Sequence, residues 1–387
     1  MNKKLCHVFF DEYPKDSRVR RYTNALIENG YEVYIISSNN GNFKFFEKEK
    51  NINIFRLPIK KKRKSFLRRI WEYFVFQFYS TILVTYIFVK YKVRMYHVHT
   101  LPDFLVFSCI LPKLFGAKII LDFHELFPEF MMQHKSNLKY SSFIIKILLF
   151  QEKLSYLFAD EIIVFHDPAK EILLKRIGNK RKMTTVMNGV DETELPSFER
   201  RTNNEFKLIY NGTINFNYNL SLIVKALNII REKDISIYNK ISFNLYGDGP
   251  DLSNILNTAK KLNIENVYYK GRLKFTDMMK ELETASACIL PPQKDIYSEL
   301  YYSLKLTEMI YFRIPVIATR LKTYLYYYPE NCLIYFNSND AEELSEKIIF
   351  ICENKDKLKT FTENALKAYQ KINWGIMRKR YLNIVKS

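Results

Sequence analysis

Glycine and proline are scarce in this sequence, which has 10 and 12 of them among 387 residues, and no window is of low complexity. Extended disorder is therefore not expected outside short linkers. Hydrophobic residues make up 48% of the chain, so it has enough apolar side chains for real cores. The length suits two domains of roughly 150–200 residues each.

The sequence also lacks the cysteine and histidine spacings that are typical of disulfide frameworks and zinc sites. Its five cysteines are an odd number, lie far apart and include no C-x-x-C pair, and no H-E-x-x-H segment occurs. We therefore predict buried, reduced thiols in a cytosolic protein and no metal centre.

Acidic residues are outnumbered, with 41 Asp and Glu against 60 Lys and Arg, which gives a formal net charge of +19. Such an excess favours an anionic partner, which can be nucleic acid, anionic lipid or a phosphorylated substrate. The chain has no recognisable nucleic-acid-binding module, and its charge is dispersed apart from Lys60–Lys64. A basic polyanion-binding protein therefore stays only as a minor alternative.

Apolar runs of strand length alternate with helix-length segments from one end of the chain to the other. The predicted strands are Leu5–Phe10, Glu32–Ser37, Ile52–Leu57, Met95–His99, Lys118–Phe123, Glu161–Phe165, Thr184–Met187, Phe206–Tyr210, Ile241–Tyr246, Asn266–Lys270, Ala287–Leu290, Pro315–Ala318 and Leu333–Phe336. The runs are continuous rather than alternating, which indicates parallel sheets buried on both faces. A polar stretch around Asp191–Asn204 separates seven strands from six, so we predict two doubly wound α/β domains.

One segment of the second half has the pattern of a ligand-binding helix start. Ser303 is a suitable N-cap before a helix that leads into a buried strand. Free N–H groups near Leu304 can hold a diphosphate, and Lys305 adds a cation there. Glu308 can accept both hydroxyls of a ribose. The alternative is an ordinary capped surface helix with a solvated glutamate.

Two turns in the same half follow predicted strands. Gly247 lies in a Gly-Asp-Gly-Pro turn, where the backbone can pass close to a ligand. Arg272 and Leu273 follow a strand that ends in Gly271, where backbone groups can pair with a nucleobase. Each turn by itself is common.

In the first half, histidines and carboxylates follow two neighbouring strands. His97, His99 and Asp103 belong to the first strand end, and His124 and Glu125 follow the second. Such groups can bind sugar hydroxyls or position a proton. A metal site is the competing idea because His97 and His99 share a strand face, but no supporting ligand spacing occurs.

A basic cluster precedes a long aromatic helix in the first half. The cluster consists of Lys60, Lys61, Lys62, Arg63 and Lys64, and the helix carries Trp71 and the uncharged run Tyr73–Val89. That run is about 26 Å long as a helix, which is shorter than a bilayer core of about 30 Å. We predict a helix that lies on an anionic membrane, with a buried core helix and a transmembrane span as alternatives.

Taken in order, these motifs resemble the retaining glycosyltransferases of family four. The segments that carry the resemblance are Asp16–Val33, Val186–Asp191, Asn211–Thr213, Gly247–Pro250, Gly271–Arg272 and Glu308–Ala318. There are departures from the family pattern. Leu300 stands where a first glutamate is usual, with Glu299 one residue away, although Lys305 fits a branch of the family. Thr213 replaces an arginine, and Ser17 and Arg18 open a helix in place of a glycine-rich loop.

The resemblance implies a GT-B architecture, in which two Rossmann-like domains face each other across a cleft. Residues 1–190 would form the acceptor domain, residues 205–365 the nucleotide-sugar domain, and the closing helix 366–387 would return to the first domain. The implied reaction is a metal-independent, retaining hexosyl transfer with no cofactor beyond a UDP- or GDP-linked sugar donor. A nucleotide-sugar epimerase or glycogen-type synthase of the same architecture is the alternative.

The resemblance also assigns roles to residues. His124 would hold the transferred sugar or developing charge, and Asp103, His99 and Glu125 would line the acceptor side, where Ser17 and Arg18 offer groups to an anion. The donor residues would be Gly212, Thr213, Gly247, Arg272, Leu273, Ser303, Leu304, Lys305 and Glu308. The expected acceptor is a lipid-linked saccharide of surface polysaccharide assembly at the cytoplasmic leaflet.

Overall fold

The chain forms two compact units. The computed structural model describes residues 3–41, 43–60, 66–135, 138–196, 198–201 and 205–387. The first unit contains Met1–Asn188 and Trp374–Ser387, and the second contains the residues between them. The return to the first unit therefore begins at Trp374 and not at residue 366. Residues before it complete a helix whose Ala365 and Tyr369 are buried in the core of the second unit.

The first unit is built on an eight-stranded sheet with the order β3-β4-β2-β1-β5-β6-β7-β8. Its strands are β1 Lys4–Val8, β2 Glu32–Ser38, β3 Phe46–Glu49, β4 Ile52–Leu57, β5 Met95–His99, β6 Lys118–Phe123, β7 Glu161–Val164 and β8 Lys182–Thr185. Its helices are α1 Ser17–Glu28, α2 Phe66–Tyr91, α3 Ile110–Leu114, α4 Phe127–His134, α5 Phe143–Phe158, α6 Asp167–Ile177 and, after the second unit, α15 Trp374–Lys386, with a 3-10 helix at Asp103–Cys109.

The second unit has a six-stranded sheet with the order β11-β10-β9-β12-β13-β14. Its strands are β9 Phe206–Thr213, β10 Ile241–Asp248, β11 Val267–Gly271, β12 Ala287–Leu290, β13 Val316–Thr319 and β14 Ile334–Phe336. Its helices are α7 Ser221–Lys233, α8 Ile235–Tyr238, α9 Leu252–Lys261, α10 Phe275–Glu283, α11 Leu304–Tyr311, α12 Lys322–Tyr327, α13 Ala341–Glu353 and α14 Lys355–Gln370, with 3-10 helices at Glu192–Glu194, Phe216–Tyr218 and Ser298–Leu300.

The predicted pair of parallel α/β sheets is confirmed, with local exceptions at the edges. Strand β3 was not predicted; it is short, mostly exposed, and pairs antiparallel with β4. Strand β8 begins two residues before the predicted start at Thr184. Strand β11 is not buried on both faces, because Tyr268 and Tyr269 are exposed at the edge of the sheet.

Central strands have the continuous burial that their sequences predicted. In β9, Leu208 and Ile209 are both fully buried, yet they belong to different hydrophobic clusters. Successive side chains of a strand point to opposite faces, so helices cover the second sheet on both sides.

Helix α2 is neither a wholly buried core helix nor free of the domain. Side chains spaced by three or four residues are buried along one face, from Tyr73 and Phe76 to Val84 and Ile87, and Phe76 packs on Phe10 with ring centroids 4.9 Å apart. By length and composition the segment Arg68–Tyr91 is long and apolar enough to cross a membrane. Because one face packs into the first unit, it forms part of that domain's surface.

The structure describes only some of the residues that were predicted to contact a membrane. Trp71 is 68% exposed on α2, and Lys60 is exposed before it. Lys61, Lys62, Arg63 and Lys64 lie outside the described residues.

Candidate active site

Five polar side chains meet at the carboxyl edge of the first sheet. Strand pairing sets His7 beside His97 and His99 beside Asp122. His7 Nδ1 lies 3.0 Å from His99 Nε2, and His99 Nδ1 lies 3.2 Å from Asp122 Oδ2. His124 follows β6, and its Nε2 is 3.1 Å from His99 Nδ1. A continuous polar chain thus runs from the sheet interior to His124, at the edge where ligands bind in such sheets.

Asp122 is the centre of this cluster, and its role was not predicted from the sequence. Its carboxylate is fully buried and receives two hydrogen bonds from Arg18, from Nε to Oδ2 at 3.0 Å and from Nη2 to Oδ1 at 2.7 Å. Burial raises the pKa of Asp122, but Arg18 and then His124 outweigh it and hold the pKa well below its usual range. Asp122 is therefore ionised, and it can stabilise positive charge on His124, whose Nε2 is 3.3 Å away.

The structure contradicts the predicted anion-binding role of Arg18. The guanidinium of Arg18 is buried and paired with Asp122. Ser17 does begin α1, as predicted, but Asp16 caps the helix: its Oδ1 accepts hydrogen bonds from the amides of Arg18 and Val19. Because a carboxylate already occupies these amides, the start of α1 does not offer them to a substrate anion.

The buried histidines of the cluster are neutral at physiological pH. Burial lowers the pKa of His97 and lowers those of His7 and His99 further, because each would have to carry charge without water. His97 Nδ1 lies 3.2 Å from the hydroxyl of Tyr381 on α15, so this side chain supports the fold. His124 is different, because 19% of its side chain is exposed.

His124 opens into a cavity of about 430 Å³ in the first unit. The cavity is lined by Phe9, Phe10, Asp11, Asp16, Arg69, Glu72, Tyr73, His99, Thr100, Leu101, His124, Glu125 and Phe130. The structure thus brings together His99, His124 and Glu125, as the sequence predicted. Arg69, Glu72 and Tyr73 were missed as lining residues, although a lone acidic residue in an otherwise apolar helix was a usable signal.

Asp103 does not share this position. Only 1% of the residue is exposed, it does not line the cavity, and its carboxylate has no hydrogen-bond partner among the described residues. Burial, and then the neighbouring Glu152, raises the pKa of Asp103 well above its usual range. Asp103 is therefore enclosed, and the structure does not bring it to the cavity that His99, His124 and Glu125 share.

In the second unit, Ser303, Lys305 and Glu308 adopt the arrangement that the sequence indicated. Ser303 caps α11, where its Oγ accepts a hydrogen bond from the Lys305 amide at 3.2 Å. Lys305 Nζ lies 3.5 Å from Glu308 Oε2, and both side chains are partly exposed. The capped helix start next to Leu304 therefore presents a cation and a carboxylate on one side.

Glu299 has a structural position. One carboxylate oxygen accepts from the Lys322 amide at the start of α12, and the other lies 2.9 Å from Lys294 Nζ. This capping contact explains the glutamate without a ligand.

The glycines near the ends of β9 and β10 are held by close backbone packing. Gly212 and Gly247 are register partners in the parallel pair. Gly247 has φ +131°, and a Cβ there would lie 1.8 Å from the Gly212 carbonyl oxygen. Glycine at 247 is thus required by the fold alone. Thr213 is exposed at the end of β9, and Arg272 and Leu273 are exposed after the edge strand β11.

Two family models match the chain and together extend from residue 17 to residue 368. Residues 17–194 match Glycosyltransferase Family 4, and residues 191–368 match Glycosyl transferases group 1. Together the two matches show that the chain is a glycosyltransferase of the family 4 type. An uncharacterized glycosyltransferase of Methanocaldococcus jannaschii is 28% identical to this enzyme over 182 residues, which are 43% of this chain and 49% of that protein. The match thus spans about half the length of the relative.

Solved structures show that this glycosyltransferase has the GT-B fold. Sucrose-phosphate synthase from Thermosynechococcus elongatus superposes with a TM-score of 0.75 at 16% identity, covering 99% of this chain and 98% of that one. An Escherichia coli structure described as trehalose-6-phosphate bound with UDP-2-fluoro glucose has a TM-score of 0.73 at 12% identity, covering 99% of both chains. At these identities the likeness concerns the fold.

Among the residues that the structure describes, the glycosyltransferase has two groups whose donor atoms are close enough for a metal ion. They are His7, His97 and His99, and His99, Asp122 and His124. In the second group the Asp122 carboxylate already carries a two-point contact with Arg18. A cation at Oδ2 would lie next to the guanidinium charge, so these residues fit a hydrogen-bonded cluster better than a metal centre.

Proposed function

We propose that this glycosyltransferase moves a hexose from a nucleoside diphosphate sugar to a saccharide hydroxyl with retention of configuration. The observation that carries the proposal is His124, which lies on the cavity and is backed by the buried Asp122–Arg18 pair. An ionised carboxylate beside an imidazole stabilises positive charge on it, and that charge can stabilise a sugar oxygen or a phosphate oxygen. His124 then holds the transferred sugar as the glycosidic bond breaks.

The second unit holds the donor in this proposal. Glu308 accepts the ribose hydroxyls, while Lys305 and the start of α11 near Ser303 and Leu304 neutralise the diphosphate. Gly212, Thr213 and Gly247 lie at the carboxyl ends of β9 and β10, and Arg272 and Leu273 follow the end of β11, so we propose them as further donor residues. Support for a UDP-linked donor, with GDP as the other choice, comes from the similar E. coli fold, which is described with UDP-2-fluoro glucose.

The leaving group is a nucleoside diphosphate, so the main task is to stabilise negative charge as it departs. Lys305 supplies a positive charge for this task, and we propose that no metal ion takes part. The acceptor hydroxyl attacks on the face that the diphosphate leaves, and a phosphate oxygen takes its proton. No nucleophile from the enzyme is required on this route.

The acceptor in this proposal is a lipid-linked saccharide of surface polysaccharide assembly, met at the cytoplasmic leaflet. Support comes from the cavity, where carboxylates such as Glu72 and Glu125 stand beside the aromatic rings of Tyr73 and Phe130. Carboxylates accept hydrogen bonds from sugar hydroxyls, and aromatic rings pack on the apolar faces of sugars.

The test is transfer from radiolabelled UDP- and GDP-hexoses to a set of saccharide acceptors, with the anomeric configuration of the product read by NMR. One donor should give an acceptor-dependent product with retained configuration, and added chelator should leave the rate unchanged. Inverted product would refute the proposed stereochemistry, and strong chelator inhibition would refute metal independence. Conversion of the nucleotide sugar without any acceptor would indicate an epimerase.

A further inference from the structure

The outer side of the first unit carries a continuous apolar surface on three helices. The 3-10 helix Asp103–Cys109 links them: Phe104 stacks on Phe74 of α2 at 5.4 Å, and Phe107 packs on Phe158 of α5 at 5.2 Å. Large apolar side chains are exposed on all three. The set, called the docking face below, is Trp71, Phe74, Phe78, Ile82 and Val89 on α2, Ile110 and Leu114 on α3, Phe115 just after it, and Phe143, Ile147, Phe150 and Leu154 on α5.

The exposure of this surface is too large for scattered surface residues. Phe143 is 79% exposed, Leu114 76% and Phe150 63%. Contiguous apolar patches larger than a few hundred Å² are rare on soluble monomers and mark contact surfaces. The sequence pointed only to α2, so α3 and α5 extend the contact surface well beyond the predicted segment.

On these helices the acidic side chains are buried, whereas the basic side chains are exposed or partly exposed. Across α2, α3, α5 and the connecting 3-10 helix the only carboxylates are Glu72, Asp103 and Glu152, and all three are buried. The cations stand at the surface or partly exposed, and they are Arg68, Arg69, Lys90, Lys113, Lys146 and Lys153. Just after α5, the partly exposed carboxylate of Asp160 pairs with Lys113. A surface with exposed aromatic rings and more exposed cations than carboxylates matches an anionic lipid interface.

We propose that the docking face seats the enzyme on an anionic lipid bilayer, with α5 contributing as much as α2. A second copy of the chain fits less well, because a two-fold contact places the same patch on both partners and would set these cations against one another. The inference rests on the proposed function for its purpose, since it names the surface from which the acceptor comes.

Helix α2 connects the docking face to the cavity. Arg69, Glu72 and Tyr73 line the cavity, whereas Trp71 and Phe74, within one turn of them, are exposed on the docking face. A saccharide can therefore reach His124 while its lipid anchor stays in the bilayer beside α2. The same helix thus serves the acceptor and the membrane on different faces.

The experiment compares the full chain with the double variant Phe143→Ser/Phe150→Ser in co-sedimentation with vesicles. The vesicles are phosphatidylcholine alone or phosphatidylcholine mixed with phosphatidylglycerol. Wild-type protein should bind the mixed vesicles, less so as salt rises, and the variant should lose at least about tenfold in partitioning because two large apolar side chains no longer insert. The matched control is Ile235→Ser/Leu256→Ser, which removes two exposed apolar side chains of the second unit and should bind like wild type.

Equal sedimentation of wild-type protein with both kinds of vesicle, or unchanged binding of the α5 variant, would overturn the inference. A concentration-dependent dimer that the α5 variant abolishes in sedimentation velocity would also overturn it, because the face would then bind a second copy. Transfer to a short, soluble glycoside separates this failure from failure of the proposed function. The α5 variant should keep that activity and lose transfer to the same glycoside on a long alkyl chain in mixed vesicles.

Discussion

The two candidate substrate regions of this enzyme are built in opposite ways. In the first unit, His124 rests on a buried network in which Arg18 and Asp122, 104 positions apart, form a two-point ion pair. In the second, Lys305 and Glu308 lie three positions apart on one partly exposed helix and touch at 3.5 Å. The first region is assembled before any ligand binds, whereas the second depends on few fixed contacts. If the proposed roles hold, positioning of the substrates should be rigid at His124 and adjustable at the proposed donor site.

Replacing His124 is the most direct test of the contrast between the two regions. His124→Ala should lower the transfer rate by about 10²–10⁴, because a group positioned beside the reacting atoms is lost. Donor affinity, measured by calorimetry, should stay close to the wild-type value. A variant with normal transfer activity would place the sugar pocket elsewhere, while loss of donor binding would show that the two regions are not separable in this way.

Asp122 tests whether the network is truly preassembled. Asp122→Asn leaves the buried guanidinium of Arg18 without its charge partner, so the free energy of unfolding should fall by about 3–5 kcal/mol. Urea unfolding followed by circular dichroism gives the measurement. The control is Glu342→Gln, which removes an exposed ion pair with Lys233 and should cost no more than about 1 kcal/mol. Similar losses in both variants would contradict the contrast.

Replacing Glu308 tests the proposed donor site. Glu308→Ala should weaken nucleoside diphosphate binding by about 1.5–3 kcal/mol, the range for hydrogen bonds to a charged group. The stability of the protein should change little, because the Glu308 side chain is partly exposed and its ion pair with Lys305 is 3.5 Å long. Calorimetry with UDP and GDP measures both the loss and the preferred base, and unchanged affinity in a folded variant would refute the assignment.

The buried histidines should make the stability of the first unit depend on pH. His7, His97 and His99 have lowered pKa values in the folded protein, so the unfolded chain binds protons first as pH falls. Their contribution is complete above about pH 6.5, the unfolded value, and is lost below it at up to about 1.4 kcal/mol per pH unit for each histidine. Unfolding measured from pH 7.5 downwards should show this slope, and a flat profile would mean that the histidines are not desolvated.

The sequence was most informative where a motif is local. The strand at Ala287–Leu290 and the helix start at Ser303 follow from neighbouring residues, and both appear as predicted. Pairing across the sheet could not be read in this way. Nothing near Arg18 indicates that a strand 104 positions later supplies its carboxylate, so the arginine was assigned to a substrate anion.

Side-chain burial was the other property that the sequence alone could not predict. Asp103 follows a strand end as His99 does, but the chain turns it inward, and a strand-end position alone does not distinguish a lining residue from an enclosed one. Helix α2 is apolar on both faces, so its periodicity could not separate core from surface. The packing of Phe76 on Phe10 shows which face of α2 is buried.

The smallest expected difference concerns the two helix starts. Asp16 accepts two backbone amides at the start of α1, whereas Ser303 accepts one at the start of α11. Ser303→Ala should cost about 1 kcal/mol of stability, and Asp16→Ala a similar or somewhat larger amount because a carboxylate also interacts with the helix dipole. Nucleoside diphosphate distinguishes the two variants. It should stabilise Ser303→Ala more than it stabilises wild type, because the freed Lys305 amide can bind a phosphate there. It should stabilise Asp16→Ala no more than it stabilises wild type. Thermal unfolding with and without UDP or GDP measures this, and preferential rescue of Asp16→Ala would move the diphosphate to α1 and reverse the roles assigned to the two units.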